Sequence, residues 1–137
     1  LLRFVIPDVL KAFIVLGHYE DPKEDRSQKY DDRPLLIETV TAFGARERKP
    51  PHSQSDYQVF LKLSQYIARM VQSAPRISFQ CFMEMLVTYE GLFETQCTVC
   101  QRVLSAEGSI PPVARVWRAR EGAEGVWDPR HVTCLQN

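Results

Sequence analysis

Leu2, Phe4 and Ile6 alternate with Arg3 and Val5 at the start of the chain, and Phe13-Ile14-Val15-Leu16 follows as a β-rich run. Apolar residues at a period of two mark a half-buried strand, so residues 1–19 read as strand. Pro7-Asp8 is expected to bend or bulge it, because proline brings no N–H to a ladder. Val9-Leu10-Lys11-Ala12 could equally form a helical turn. Residues 20–34 are polar, with Pro22, Pro34 and Asp31-Asp32, and read as a mobile loop. Strand spacing returns from Leu35 to Phe43 through Ile37, Thr39, Val40 and Thr41, and Arg46–Pro51 ends it. Two strands joined by a long loop suggest an antiparallel pair.

The period then changes to 3.6. Ser55-Asp56-Tyr57-Gln58 fits a capping box, in which Ser55 and Gln58 serve each other's amides. Beyond it Tyr57, Phe60, Leu61, Ile67, Ala68 and Val71 form one helical stripe, and Val59, Leu63, Tyr66 and Met70 a second. A helix that is apolar on two sides is expected between two layers, or between its own domain and a partner. Pro75 suits the first turn of another helix from about Arg76 to Phe93, with Phe79, Phe82, Met83, Leu86, Tyr89 and Phe93 in one stripe. Cys81 and Met85 lie beside that stripe, and Cys81 reads as a small core hydrophobe. The two helices predict an αα-hairpin packed on the strand pair.

The C-terminal third lacks such periodicity and carries chemistry instead. Cys97-Thr98-Val99-Cys100 and His131-Val132-Thr133-Cys134 are a C-x2-C pair followed by an H-x2-C pair. Three thiolates and one imidazole make a complete tetrahedral set for Zn²⁺ and leave no position open for water. Cys97, Cys100, His131 and Cys134 are therefore the candidate metal ligands, and the closed set points to structural zinc. The first pair can form a knuckle whose backbone amides bond the sulfurs. Asp128 and Pro129 suit the start of a short helix that would put His131 and Cys134 on one face. The 101–130 segment between the pairs has Trp117 and Trp127 as apolar anchors but too little periodic apolar content to fold alone, so the ion would supply the missing stability.

Composition narrows the alternatives. The 137 residues fit one domain, with room for a small metal-stapled lobe. Lys+Arg and Asp+Glu both number 17, so the chain lacks the basic excess usual in nucleic-acid-binding domains. Arg115, Arg118 and Arg120 cluster but are offset by Glu121 and Glu124, and read as a solvated face. The longest strongly apolar run, Ala12–Leu16, is too short to cross a bilayer, and no signal peptide is visible. Only three of the four cysteines sit in the paired pattern, with a histidine completing it, which favours a reducing compartment over disulfides. His18 and His52 have no ligand-spaced neighbours and read as surface or loop residues. No phosphate-cradling glycine loop or HExxH motif is present. A chain that starts at Leu1 without Met is expected to be part of a longer protein.

Three features together resemble a known family. They are Ser55-Asp56-Tyr57-Gln58-Val59-Phe60 opening the first helix, Tyr89-Glu90-Gly91-Leu92-Phe93 leading into the C-x2-C pair, and Pro111-Pro112 before the closing His131-Val132-Thr133-Cys134. In this order they resemble the C-terminal domain of Mediator complex subunit 27, well over residues 54–137 and more loosely over 1–50. The resemblance implies a nuclear, non-enzymatic subunit of the coactivator that bridges transcription activators and RNA polymerase II. It implies contacts with other Mediator subunits near the junction of the head and tail modules, made by helices that would precede Leu1. Contact with the polymerase machinery would be indirect. The Glu121–Gly125 stretch looks longer than in the family's shorter versions.

The combined expectation is an α+β fold: an antiparallel strand pair on an αα-hairpin over residues 1–93, and a C-terminal zinc-binding lobe over 94–137. Its function would be scaffolding within Mediator, with no catalytic residues, no direct sequence-specific nucleic-acid contact and no membrane partner. A zinc-ribbon-like nucleic-acid module is the alternative, and would need Arg115, Arg118, Arg120 and Arg130 on one face. A zinc enzyme would need water on the metal and an adjacent carboxylate, for which Glu94 and Glu107 are available by sequence.

Overall fold

The computed structural model describes residues 1–18 and 35–135. The loop expected over 20–34 lies outside the described residues, as does the side chain of His18. The fold is α+β, with β1 (Leu2–Ile6), β2 (Leu10–His18), β3 (Leu35–Gly44), α1 (Gln58–Ser73), α2 (Phe79–Val87), β4 (Ala114–Arg120) and β5 (Ala123–Arg130). β1, β2 and β3 form one antiparallel sheet in that order, and β4 and β5 a separate hairpin.

The N-terminal strand run is thus two strands, and the expected pair is a three-stranded sheet. Pro7-Asp8-Val9 makes a tight turn, with Ile6 opposite Leu10 and the Val9 amide donating to the Ile6 carbonyl at 3.1 Å. Asp8 takes φ 63°, the left-handed region that a short acidic side chain tolerates. Alternation then decides the faces. Leu10, Ala12 and Ile14 of β2 are buried, with Ile6 of β1 and Ile37, Val40 and Ala42 of β3. Val15 opposes Thr39 while Leu16 opposes Ile37, so Glu38 is the extra residue of a bulge.

α1 lies against β3 and buries Phe60, Leu63, Ile67 and Val71, a spacing of three and four that gives one apolar stripe. Val59, Tyr66 and Met70 are partly buried against the same core, whereas Tyr57 stands 58% exposed. The Ser64 hydroxyl accepts the Ala42 amide at 2.9 Å and donates to the Phe60 carbonyl at 2.8 Å, fastening α1 to the strand backbone. The expected capping box is replaced by another device. The first helical residue is Gln58, and its N-cap, Tyr57, makes no side-chain cap bond. Glu47, upstream in sequence, accepts from the Gly44 amide at 2.8 Å, the Asp56 amide at 3.1 Å and the Ser55 hydroxyl. Ser55 in turn accepts the Tyr57 amide at 3.1 Å. Burial alone would raise the Glu47 carboxyl pKa, but the bonds from Ser55, Gly44 and Asp56 outweigh it and hold the value down. Glu47's contribution to stability is therefore complete above the usual glutamate value of 4.5 and fades as pH falls through its lower folded value. Glu47→Gln is expected to cost about 1 kcal/mol at pH 7 in urea unfolding, with the gap to wild type closing in acid.

The second helix is shorter than its stripe suggested. Pro75 lies in the connecting turn, Ser78 is the N-cap and accepts the Cys81 amide at 3.1 Å, and a 3₁₀ turn over Thr88–Gly91 follows Val87. The Thr88 hydroxyl donates to the Met85 carbonyl at 2.6 Å, local competition that favours the tighter turn. Phe82, Met85, Leu86 and Tyr89 are fully buried, Cys81 is half-buried and Phe93 is 49% exposed. α1, α2 and the sheet share one core, which Val113 joins from the start of the C-terminal hairpin.

Candidate metal centre

Residues 101–130 contain more regular structure than their composition suggested. β4 and β5 pair antiparallel from Ala114 opposite Arg130 to Arg120 opposite Ala123, with Gly122 at φ 68° in the turn. Asp128 and Pro129 lie in β5, not at the start of a helix; a two-stranded hairpin has only edge positions, where proline is tolerated. Trp127 packs against the core, and Trp117, 51% exposed, meets it edge-on at 5.1 Å between centroids. Gly125 leaves the room Trp117 occupies, since a Cβ there would stand 2.3 Å from the indole.

Two tyrosines bind this hairpin to the helices. The Tyr89 hydroxyl donates to the Val113 carbonyl at 2.7 Å, and the Tyr66 hydroxyl to the Arg115 carbonyl at 2.6 Å. Arg115 is 3% exposed, so it is no part of a solvated face. Its guanidinium lies 4.3 Å over the Tyr89 ring and donates to the Thr88 hydroxyl and to the Pro112 and Ala114 carbonyls. Carbonyl oxygens and a π-face replace the water that the cation loses. Arg118 pairs with Asp128 at 2.9 Å and Arg120 bonds the Glu124 carbonyl.

The hairpin brings the two half-sites together. Cys97, Cys100, His131 and Cys134 each direct one ligand atom into a common space, and those four atoms all lie within 4.8 Å of one another. Tetrahedral zinc with Zn–S bonds of about 2.3 Å would set its ligand atoms roughly 3.5–3.8 Å apart, so a small inward movement completes the shell. The first pair sits in a turn where the Cys97 amide donates to the Arg102 carbonyl at 2.9 Å and Gln101 takes φ 61°. The second follows β5 directly: His131, extended, is the N-cap of a 3₁₀ turn over Val132–Cys134, which Cys134 closes. The Thr98 amide donates to the Pro129 carbonyl at 3.0 Å, tying one pair to the other.

Burial differs among the four. Cys97 and His131 are buried, Cys134 is half-buried and Cys100 exposed. The Cys97 sulfur accepts the Val99 amide at 3.4 Å and the His131 amide at 3.5 Å. Burial alone would raise its pKa, but those two amides, the Cys100 amide and the Cys134 thiol bring it down to about 6. Burial and the neighbouring Cys97 and Cys100 sulfurs push the Cys134 thiol up. The imidazole is oriented from behind. His131 Nε2 is 2.8 Å from the Val103 carbonyl, which can only accept, so the proton is assigned to Nε2. Nδ1 then presents its lone pair to the Cys100 and Cys134 sulfurs at 3.2 and 4.0 Å. A carbonyl fixing the tautomer of a histidine ligand is the usual second layer of a metal site. The chemistry of the donor set and this orientation are compatible with a metal ion.

His52 is exposed and distant in sequence from any ligand pair. The contributions of Val103 and of the Tyr66 and Tyr89 hydroxyls were not visible from spacing. The signal available for the hairpin was Val116-Trp117 and Val126-Trp127 flanking Glu121-Gly122, β-formers around a turn pair.

The chain is an α+β domain whose C-terminal part gathers a Cys₃His set compatible with a metal site. The family profile of Mediator complex subunit 27 matches residues 49–135, most of the chain, and the chain belongs to that family. The matched span holds α1, α2, the C-terminal hairpin and all four cluster residues. No curated protein sequence matches the chain. Membership gives the chain a Mediator-subunit role in transcription, with other Mediator subunits as partners. Mediator subunits function in the nucleus and are generally non-enzymatic. Among the described residues no helix is long and apolar enough to cross a membrane.

Proposed function

We propose that residues 94–137 are a zinc-binding lobe and that the chain is a non-enzymatic scaffold of Mediator, docking other subunits near the head–tail junction. Cys97, Cys100, His131 and Cys134 are the ligands of one structural Zn²⁺, and the division from the strand–helix part falls after Phe93. The observation that carries this is the convergence of four ligand atoms within 4.8 Å with the imidazole lone pair already turned inward. The bound ion supplies a cross-link between the Cys97–Cys100 turn and the end of β5. Four protein ligands leave it no site for water, and three thiolates make it a poor Lewis acid, so no bond chemistry is assigned to it. Contact with the RNA polymerase II machinery is indirect, through the rest of Mediator.

The nucleic-acid alternative draws little from the arginines. Arg115 is enclosed, Arg118 is paired with Asp128, and Arg130 is half-buried. The scaffold reading is tested by replacing the chain with Cys134→Ala in cells and purifying Mediator through another subunit. Recovery of the variant in the complex is expected to fall several-fold. Full recovery of a variant that has lost its zinc would overturn the reading.

A further inference from the structure

The outer side of α1 and the 3₁₀ turn at Val132–Cys134 enclose two hollows of about 370 and 460 Å³. Lys62 and Val132 line both, so they form one groove along the helix. Tyr66, Met70, Val132 and Leu135 supply apolar surface to the first hollow, and Ile110 and Pro111 to the second. α1 has 16 residues, about 24 Å of length, enough to seat three turns or more of another helix.

The charge of this groove is one-sided. Lys62 and Arg69 are the only charged residues of α1, stand two turns apart on its exposed face and both line the first hollow, which has no carboxylate among the described residues. Glu107 is the single carboxylate of the second among the described residues. Neither Lys62 nor Arg69 has an ion pair or hydrogen bond among the described residues. Unpaired cations beside an apolar floor set partner sign as well as attraction, because a like-charged partner would be repelled.

We infer that this groove receives an acidic amphipathic helix of a partner protein, its apolar residues on Tyr66, Met70 and Val132 and its carboxylates against Lys62 and Arg69. This is helix-in-groove recognition, with anchors at i, i+4 and i+7. The inference rests on the docking reading above and gives the partner's chemistry. Val132 lies between the ligands His131 and Cys134, so the ion would also hold the groove's second wall in place.

The test uses the zinc-loaded chain and two fluorescein-labelled helical peptides with leucine at the same anchor positions, one flanked by glutamate and the other by lysine. The acidic peptide is expected to bind at least ten-fold more tightly, and less so as salt rises. K62E/R69E should reverse the preference, losing the acidic peptide ten-fold or more and gaining the basic one. Both side chains are exposed and have no ion pair among the described residues, so zinc content and circular dichroism should stay at wild-type values. Equal binding of the two peptides, no binding of either, or an unchanged preference in K62E/R69E would overturn the proposal while leaving the zinc reading intact. A concentration-dependent dimer in sedimentation equilibrium that K62E/R69E dissolves would overturn it in favour of a second copy. A wild-type chain that holds no zinc would instead count against the zinc reading, and full recovery of zinc-free Cys134→Ala in Mediator against the docking reading.

Discussion

Cys100→Ala is expected to abolish tight zinc binding and to free the segment from Cys97 to Cys134 from the helices, while the three-stranded sheet with α1 stays folded. Cys100 is exposed, so alanine there removes almost no packing, and any large effect belongs to the lost ligand. Metal-dependent folding converts binding free energy into stability, and losses of this kind exceed about 4 kcal/mol. The consequence is local because each half-site holds only short turns. Cys97–Arg102 has two closing amide bonds, Cys97 to Arg102 and Gln101 to Cys97, besides the Thr98 link to Pro129, and the Val132–Cys134 turn is a single 3₁₀ turn. Limited proteolysis should cut the variant between Leu104 and Gly108 and in the β4–β5 turn at rates that the wild type shows only with chelator. A variant that keeps its zinc and full protection would refute the ligand assignment. Metal affinity should also weaken as pH falls, since protons compete for all four ligands.

The second large effect is expected at Tyr89. It is fully buried, contributes its ring to the core, holds the Arg115 guanidinium and donates to the Val113 carbonyl. Tyr89→Ala should cost about 4 kcal/mol in urea unfolding, the range for removing a large buried aromatic ring. Tyr89→Phe keeps the ring and leaves one buried carbonyl short of a donor, so about 1–2 kcal/mol is expected. Arg115→Ala provides the converse test, because it uncovers the Pro112 and Ala114 carbonyls and the Thr88 hydroxyl without touching the sheet. If Tyr89→Phe matched Tyr89→Ala, the hydroxyl and not the ring would be the main fastening. Near-neutral values for all three would mean that this contact does not join the hairpin to the core.

What could be read from sequence followed from how local each cause is. α1 was legible because Phe60, Leu63, Ile67 and Val71 repeat at the helical period, and the cluster because ligand spacing is a short-range property. The β1–β2 turn was half legible: Pro7-Asp8 marked a break, but whether the chain bulges or reverses depends on Leu10 finding Ile6 across the turn. The capping box was misread because Ser55 is taken up by Glu47, eight residues earlier, and accepts the Tyr57 amide instead of a helix amide, an arrangement no local box contains. Arg115 was misread for a similar reason. Its clustering with Arg118 and Arg120, offset by Glu121 and Glu124, suggested a solvated face, yet Tyr89, 26 positions earlier, lies beneath it and the Thr88, Pro112 and Ala114 oxygens surround its nitrogens. Such an enclosure is made by tertiary contacts, so composition near position 115 could not show it. The helix expected at Asp128-Pro129 failed because pairing with β4 overrode a good local cap.

Cluster and hairpin adjoin in the folded chain. The hairpin spans the sequence between the two ligand pairs, and Thr98 bonding Pro129 closes the short path between them. Tyr66 and Tyr89 then pass that order to α1 and the core, so a metal at the end of the chain would hold the wall opposite α1. The most direct test is zinc content with X-ray absorption on the purified chain. One zinc per chain with three sulfur neighbours and one nitrogen neighbour is the predicted result, and chains that fold fully with no metal, or a zinc that keeps a water ligand, would contradict it.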